Sequence, residues 1–136
     1  MLDSYVLDSF ALLAYFHSEP GRSTVEGLLR RGEAGDARLL LCIINYGEVL
    51  YTLERTRGAT VLEQAIVVID NLPIEVVDAD RWLTFAAAHL KARHAISYAD
   101  AFAAALAERE SAVLVTGDPE FESLEGLIRI EWLERR

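Results

Sequence analysis

Five short apolar runs punctuate the chain: Tyr5–Leu7, Arg38–Ile43, Ile74–Val77, Ala112–Val115 and Ile128–Ile130. Each is too short for a helix, and several are apolar throughout rather than alternating, which is the pattern of a strand covered on both faces. Between them lie segments with helical spacing, roughly Ser9–His17, Arg22–Glu33, Tyr46–Arg57, Val61–Leu72, Ala79–His94 and Tyr98–Glu110. In the last of these Ala99, Phe102, Ala103 and Leu106 recur at i, i+3, i+4 and i+7, the signature of a buried helix face. Strands alternating with helices require an α/β fold, with a mostly parallel sheet of about five strands and helices on both sides. In such folds ligands gather beyond the C-terminal ends of the strands.

The remaining bounds are simple. A chain of 136 residues has the size of one domain, and no linker or internal repeat divides it, so residues 1–136 are read as one unit. The single cysteine, Cys42, sits among Leu39, Leu40, Leu41, Ile43 and Ile44. It excludes an internal disulfide and a cysteine-rich zinc site, and reads as a core side chain. No apolar run approaches the ~20 residues of a membrane span. The N-terminus lacks a basic region ahead of its apolar stretch, so a cytoplasmic protein with no membrane partner is expected. The formal charge of −9 argues against a protein that wraps nucleic acid over its whole surface, yet allows a nuclease with a few local cations.

Four carboxylates carry the chemistry. Asp8 ends the first apolar run, and the first cation in the chain is Arg22. Asp118 follows the fourth run, with Pro119 behind it. Glu48 stands three residues after Asn45, and Asp100 three after Ser97, both at capping-box spacing. Each acid therefore has a plain explanation as a helix cap. Thr60 and Glu63 repeat the spacing where no strand end lies nearby, and there no chemistry is expected. The joint placement says more. A parallel sheet brings Asp8, Glu48 and Asp118 to one edge, while Asp100 opens a helix leading into the fourth strand. Helix N-termini offset each charge by only about 0.3–1 kcal/mol. Converging acids partly protonate unless a divalent cation binds them, and hard oxygen donors suit Mg²⁺ or Mn²⁺. Such a centre assists in-line displacement at phosphorus. His17, His89 and His94 are scattered, no Ser-His-Asp pattern competes, and no glycine-rich phosphate loop is present.

Four pieces together resemble the PIN-domain ribonucleases, and within them the VapC toxins of toxin–antitoxin pairs. They are Val6-Leu-Asp-Ser-Phe-Ala-Leu-Leu-Ala-Tyr-Phe16, Asn45-Tyr-Gly-Glu-Val-Leu-Tyr51, Ser97-Tyr-Ala-Asp-Ala-Phe-Ala-Ala-Ala-Leu-Ala107 and Leu114-Val-Thr-Gly-Asp-Pro-Glu-Phe121. Leu124–Leu133 is similar to the family's closing strand. The resemblance implies a three-layer α/β/α sandwich and an acidic quartet of Asp8, Glu48, Asp100 and Asp118. Asp8, Asp100 and Asp118 would be the chief ligands of Mg²⁺ or Mn²⁺, Glu48 a ligand through water or an orienting base, and Ser9 and Thr116 supporting hydroxyls. It further implies endonucleolytic RNA cleavage by metal-activated water, a homodimer, and inhibition by a small VapB-type antitoxin whose tail places a basic side chain near the acids.

Residues that contact RNA are not identified by the sequence. Arg22, Arg30, Arg31, Arg55, Arg57, Lys91, Arg93 and His94 are the available candidates, and Arg30-Arg31 reads first as a solvated helix face. Two other functions fit the acids. A receiver-like module would bind Mg²⁺ and accept a phosphoryl group on one Asp, but it needs a lysine near a strand end, and Lys91 falls within a helix. A non-catalytic binding domain would use all four acids as caps.

Overall fold

A computed structural model describes residues 2–134. Its five strands are β1 (Asp3–Leu7), β2 (Ala37–Cys42), β3 (Glu75–Val77), β4 (Val113–Thr116) and β5 (Ile130–Trp132). They form one sheet in the order β3-β2-β1-β4-β5, and every neighbouring pair is parallel. The helices are α1 (Ser9–Phe16), α2 (Arg22–Glu33), α3 (Ile43–Arg57), α4 (Ala59–Asp70), α5 (Arg81–Arg93) and α6 (Tyr98–Arg109), followed by a 3-10 helix over Pro119–Leu124.

The pleat divides the core in two, because successive side chains of a strand point to opposite faces. Tyr5, Leu7, Leu39, Leu41 and Val115 meet α1, α2, α3 and α4 on one face. Val6, Leu40, Cys42 and Leu114 meet α5, α6 and the 3-10 helix on the other. The result is the α/β/α sandwich expected from apolar strands. Helix α6 is buried on every side from Ala101 to Ala107, so its helical spacing understates its burial. Its run of alanines lets it lie close against β1, β2, β4, α3 and α5 at once.

Several boundaries differ from the sequence reading, β1 starting at Asp3 rather than Tyr5 and α5 at Arg81 rather than Ala79 among them, and three bear on the site or the core. Helix α3 starts at Ile43 rather than Tyr46, directly off β2, which places Asn45 inside the first turn. Helix α4 starts at Ala59, following Gly58 at φ 90°, a conformation that favours glycine and permits the sharp turn out of α3. Strand β5 lies two residues beyond the expected run; Ile128 is buried, but it packs from the preceding loop. No helix among the described residues is long and apolar enough to cross a membrane.

Candidate metal centre

The strand order reverses between β1 and β4, the switch point at which open parallel sheets leave a crevice. Asp8 leaves β1 there, and Thr116, Gly117 and Asp118 leave β4 beside it. Asp8 is 1% exposed. One of its oxygens accepts the Ala11 N–H at 2.9 Å, capping α1, and the other accepts the Thr116 hydroxyl. The Thr116 oxygen in turn accepts the Asp118 N–H at 3.0 Å. Asp118 accepts the Glu120 N–H at 2.9 Å and so caps the 3-10 helix. Thr116 is thus a buried hinge between two acids, and Asp8 and Asp118 do cap their helices as the plain reading required.

The other two acids arrive on helices. Ser97 caps α6 by accepting the Asp100 N–H at 3.1 Å, which sets the Asp100 carboxyl into the crevice side of the first turn. Glu48 lies half-buried in the second turn of α3. The Asn45–Glu48 capping box is not formed. Residue 45 is already helical, the N-cap is Cys42, and no side chain caps the helix. Buried Asn45 instead donates to the Ala99 carbonyl at 3.1 Å and to Glu48 at 3.3 Å, tying the start of α3 to the start of α6. The spacing was right and its purpose different. The Thr60–Glu63 pair likewise forms no cap, since Gly58 takes that position. Ser9 opens α1 next to Asp8 and stays half-exposed.

Electrostatics record how crowded the acids are. Burial raises the Asp8 carboxyl from 3.8 to about 7, against the pull of its Thr116 and Ala11 hydrogen bonds, and the charges of Asp118 and Glu48 push it further up. Burial likewise raises Asp100 to about 8, helped by a carboxyl-to-carboxyl hydrogen bond with Glu120 and by the charges of Asp118 and Asp8. Four acids from distant parts of the chain therefore feel one another directly. Among the described residues no ion pair joins any of them to an Arg or Lys.

Glu120 is a fifth carboxylate that the sequence reading passed over. Oxygens of Asp100, Asp118 and Glu120 lie within 4.8 Å of one another, close enough to share an ion. Glu120 stands two residues past Asp118, in the first turn of the same 3-10 helix. Asp8 reaches this trio through charge and through the Thr116 bridge. An all-oxygen, uncompensated donor set fits Mg²⁺ or Mn²⁺ in kind. Lys91, which a phosphoacceptor module would need paired with the acids, is exposed on α5 and makes no ion pair among the described residues.

Gly117 is required between the two β4-edge groups. A Cβ there would overlap the Phe10 ring, which packs across it. Gly117→Ala is therefore expected to cost about 1–3 kcal/mol, the usual scale of overpacking, and to displace Asp118. A melting curve unchanged from wild type would show that the ring can move aside.

A parallel five-stranded sheet with helices on both faces and an acidic cluster at its switch point defines the class: an α/β protein with a carboxylate centre suited to hard divalent ions. The sequence matches the PIN domain over residues 5–127, and the chain belongs to that family. Solved structures show the same fold. A chain of VapBC2 from Rickettsia felis, solved bound to a promoter DNA fragment, has a TM-score of 0.77 at 17% identity, with 96% of this chain and 99% of that one covered. A chain of DNA-bound VapBC from Salmonella typhimurium gives 0.72 at 23% identity, covering 96% and 98%. VapC20 of Mycobacterium tuberculosis, a sarcin-ricin-loop-cleaving toxin, gives 0.71 at 17% identity, covering 88% and 93%. A comparison with curated protein sequences gives no match.

Proposed function

We propose that this chain is a metal-dependent endoribonuclease, the VapC-type toxin of a toxin–antitoxin pair. The observation that carries this reading is the convergence of Asp8, Glu48, Asp100 and Asp118 from four separate elements, with no ion pair to any of them among the described residues. Asp8, Asp100 and Asp118 would hold Mg²⁺ or Mn²⁺, with Glu120 as an additional oxygen donor. A bound divalent ion supplies Lewis-acid stabilisation of phosphoryl oxygens and lowers the pKa of water.

The protein's own groups do the rest. Thr116 fixes the Asp8 carboxylate by donating to one of its oxygens, while the Ala11 N–H holds the other. Asn45 fixes the separation of Glu48 from the Asp100 turn by bonding to both segments. Glu48 keeps partial access to solvent and would orient an attacking water and take its proton. Leu7, which precedes Asp8, Val115, which precedes Thr116, and Phe121 of the 3-10 helix are fully buried and anchor the segments that carry the acids.

The solved relatives include toxin–antitoxin complexes. We extend that arrangement to this chain: a homodimer silenced by a small VapB-type antitoxin, in a protein that acts inside the cell. An antitoxin side chain that brings one cation to the crevice would relieve the same repulsion that an ion relieves. Incubating the purified chain with RNA tests the activity. Cleavage with Mg²⁺ or Mn²⁺ that stops on chelation is expected; RNA left intact in Mn²⁺ would refute the reading.

A further inference from the structure

Resting on the reading of this chain as a ribonuclease, we propose that the outward face of α5 is the track along which single-stranded RNA leaves the acidic centre. In a chain of net charge −9, the α5 sequence Arg-Trp-Leu-Thr-Phe-Ala-Ala-Ala-His-Leu-Lys-Ala-Arg carries three cations and no acid. Among the eight described cations elsewhere, half are paired, and Arg30, Arg55, Arg57 and Arg129 make no ion pair. Arg22, Arg31, Arg38 and Arg109 pair with carboxylates, while Arg81, Lys91 and Arg93 make no ion pair among the described residues.

At 3.6 residues per turn Trp82, Phe85, His89 and Arg93 fall on one side of the helix beside Arg81, with Lys91 on the opposite flank. Trp82 is 71% exposed and Phe85 51%, and they meet edge to face at 5.8 Å. Arg81 stacks over both, at 4.9 Å from the Phe85 ring centre and 5.9 Å from that of Trp82. Leu83, Ala87 and Leu90 turn inward and hold the helix to the core, so the exposed rings are not needed for the fold. Cations interleaved with open aromatic faces are how proteins grip single strands: phosphates meet the charges and bases stack on the rings.

Position completes the argument. The Asp80–Arg109 ion pair joins the start of α5 to the end of α6, so the two helices run antiparallel. The end of α5, with Arg93, therefore stands beside the first turn of α6, which carries Asp100. Arg93 is further held by contact with His89 at 3.1 Å. From Arg93 back to Trp82 the helix extends about 16 Å, a span of a few nucleotides. Arg55 and Arg57 lie at the other end of α3 from Glu48 and supply no such path. A second copy of the chain is the less suitable occupant, because a two-fold contact of α5 with itself sets its cations against one another.

The test is RNA binding without cleavage. A fluorescently labelled twelve-nucleotide single-stranded RNA is titrated with the full chain in chelator, and association is followed by anisotropy at several salt concentrations. The variants are Trp82→Ala with Phe85→Ala, Arg81→Ala with Arg93→Ala, and Arg55→Ala with Arg57→Ala. The aromatic pair should weaken binding by about tenfold or more. The α5 cation pair should weaken it and flatten the salt slope by about 1.4, the loss of two phosphate contacts on a single strand. The α3 pair should leave both unchanged. Wild-type affinity in both α5 variants would overturn the track while leaving the nuclease reading in place. A dimer that falls apart on sedimentation in the aromatic variant, with RNA affinity intact, would overturn it in favour of an interface between copies. No RNA bound by wild type would overturn the track and the nuclease reading together.

Discussion

Asp8→Asn is expected to abolish RNA cleavage, by at least ~10²–10³-fold, while the chain stays folded. Asparagine keeps the shape and the oxygen that accepts the Ala11 N–H, so α1 keeps its cap. What is lost is the negative charge at the centre of the acidic set. Without an ion that charge is a burden to the fold, since burial holds the Asp8 carboxyl near 7. Metal-free Asp8→Asn at pH 8 should thus melt at the wild-type temperature or above it. A cap that did nothing else would give the reverse, with activity intact and any change confined to stability. Parallel cleavage assays and thermal melts separate the two, and full activity in the variant would refute a catalytic Asp8.

The second large effect is a dependence of metal-free stability on pH that runs opposite to ordinary acid denaturation. Burial raises Asp8 to about 7 and Asp100 to about 8 in the folded chain, against 3.8 for an ordinary aspartate. Between those values the folded state binds more protons than the unfolded one, so each group lowers stability as pH rises. The stability is whole below pH ~4 and is lost progressively up to pH ~8, at no more than ~1.4 kcal/mol per pH unit for each group. The two losses are not additive, because each acid's charge raises the other's pKa. Urea melts in chelator should show the chain several kcal/mol weaker at pH 8 than at pH 5. Mn²⁺ should restore much of this at pH 8, by about 2.7 kcal/mol at a hundred times its dissociation constant. A metal-free chain that is stronger at pH 8 and indifferent to Mn²⁺ would contradict a crowded, ion-seeking centre.

Most of this architecture was legible in the sequence because burial on both faces leaves an uninterrupted apolar run. Strands β2, β3 and β4 fall within a residue of their runs, and β1 ends where its run ends, for that reason. Strand β5 was misplaced because Ile128 is as buried as a strand residue while belonging to a loop. Asp8 and Asp118 stood out because both end strands that the topology makes neighbours. Asn45 was misread because an Asn three residues before a Glu looks the same whether it caps its own helix or reaches across to α6; only the tertiary contact with Ala99 distinguishes them. Glu120 escaped notice because spacing shows which acids cap helices, whereas its contact with Asp100 joins segments far apart in the chain. The exposed rings of α5 were hidden for the opposite reason, since an apolar residue in a helix is ordinarily taken for core.

The central claim is that acids distant in the chain share a divalent ion. The most direct test is an anomalous difference map from a crystal of the protein grown with Mn²⁺. A peak bounded by Asp8, Asp100 and Asp118, with Glu120 at its margin, is the predicted result. A map with no peak among those residues, or with Mn²⁺ bound elsewhere while the crevice acids remain protonated, would contradict it.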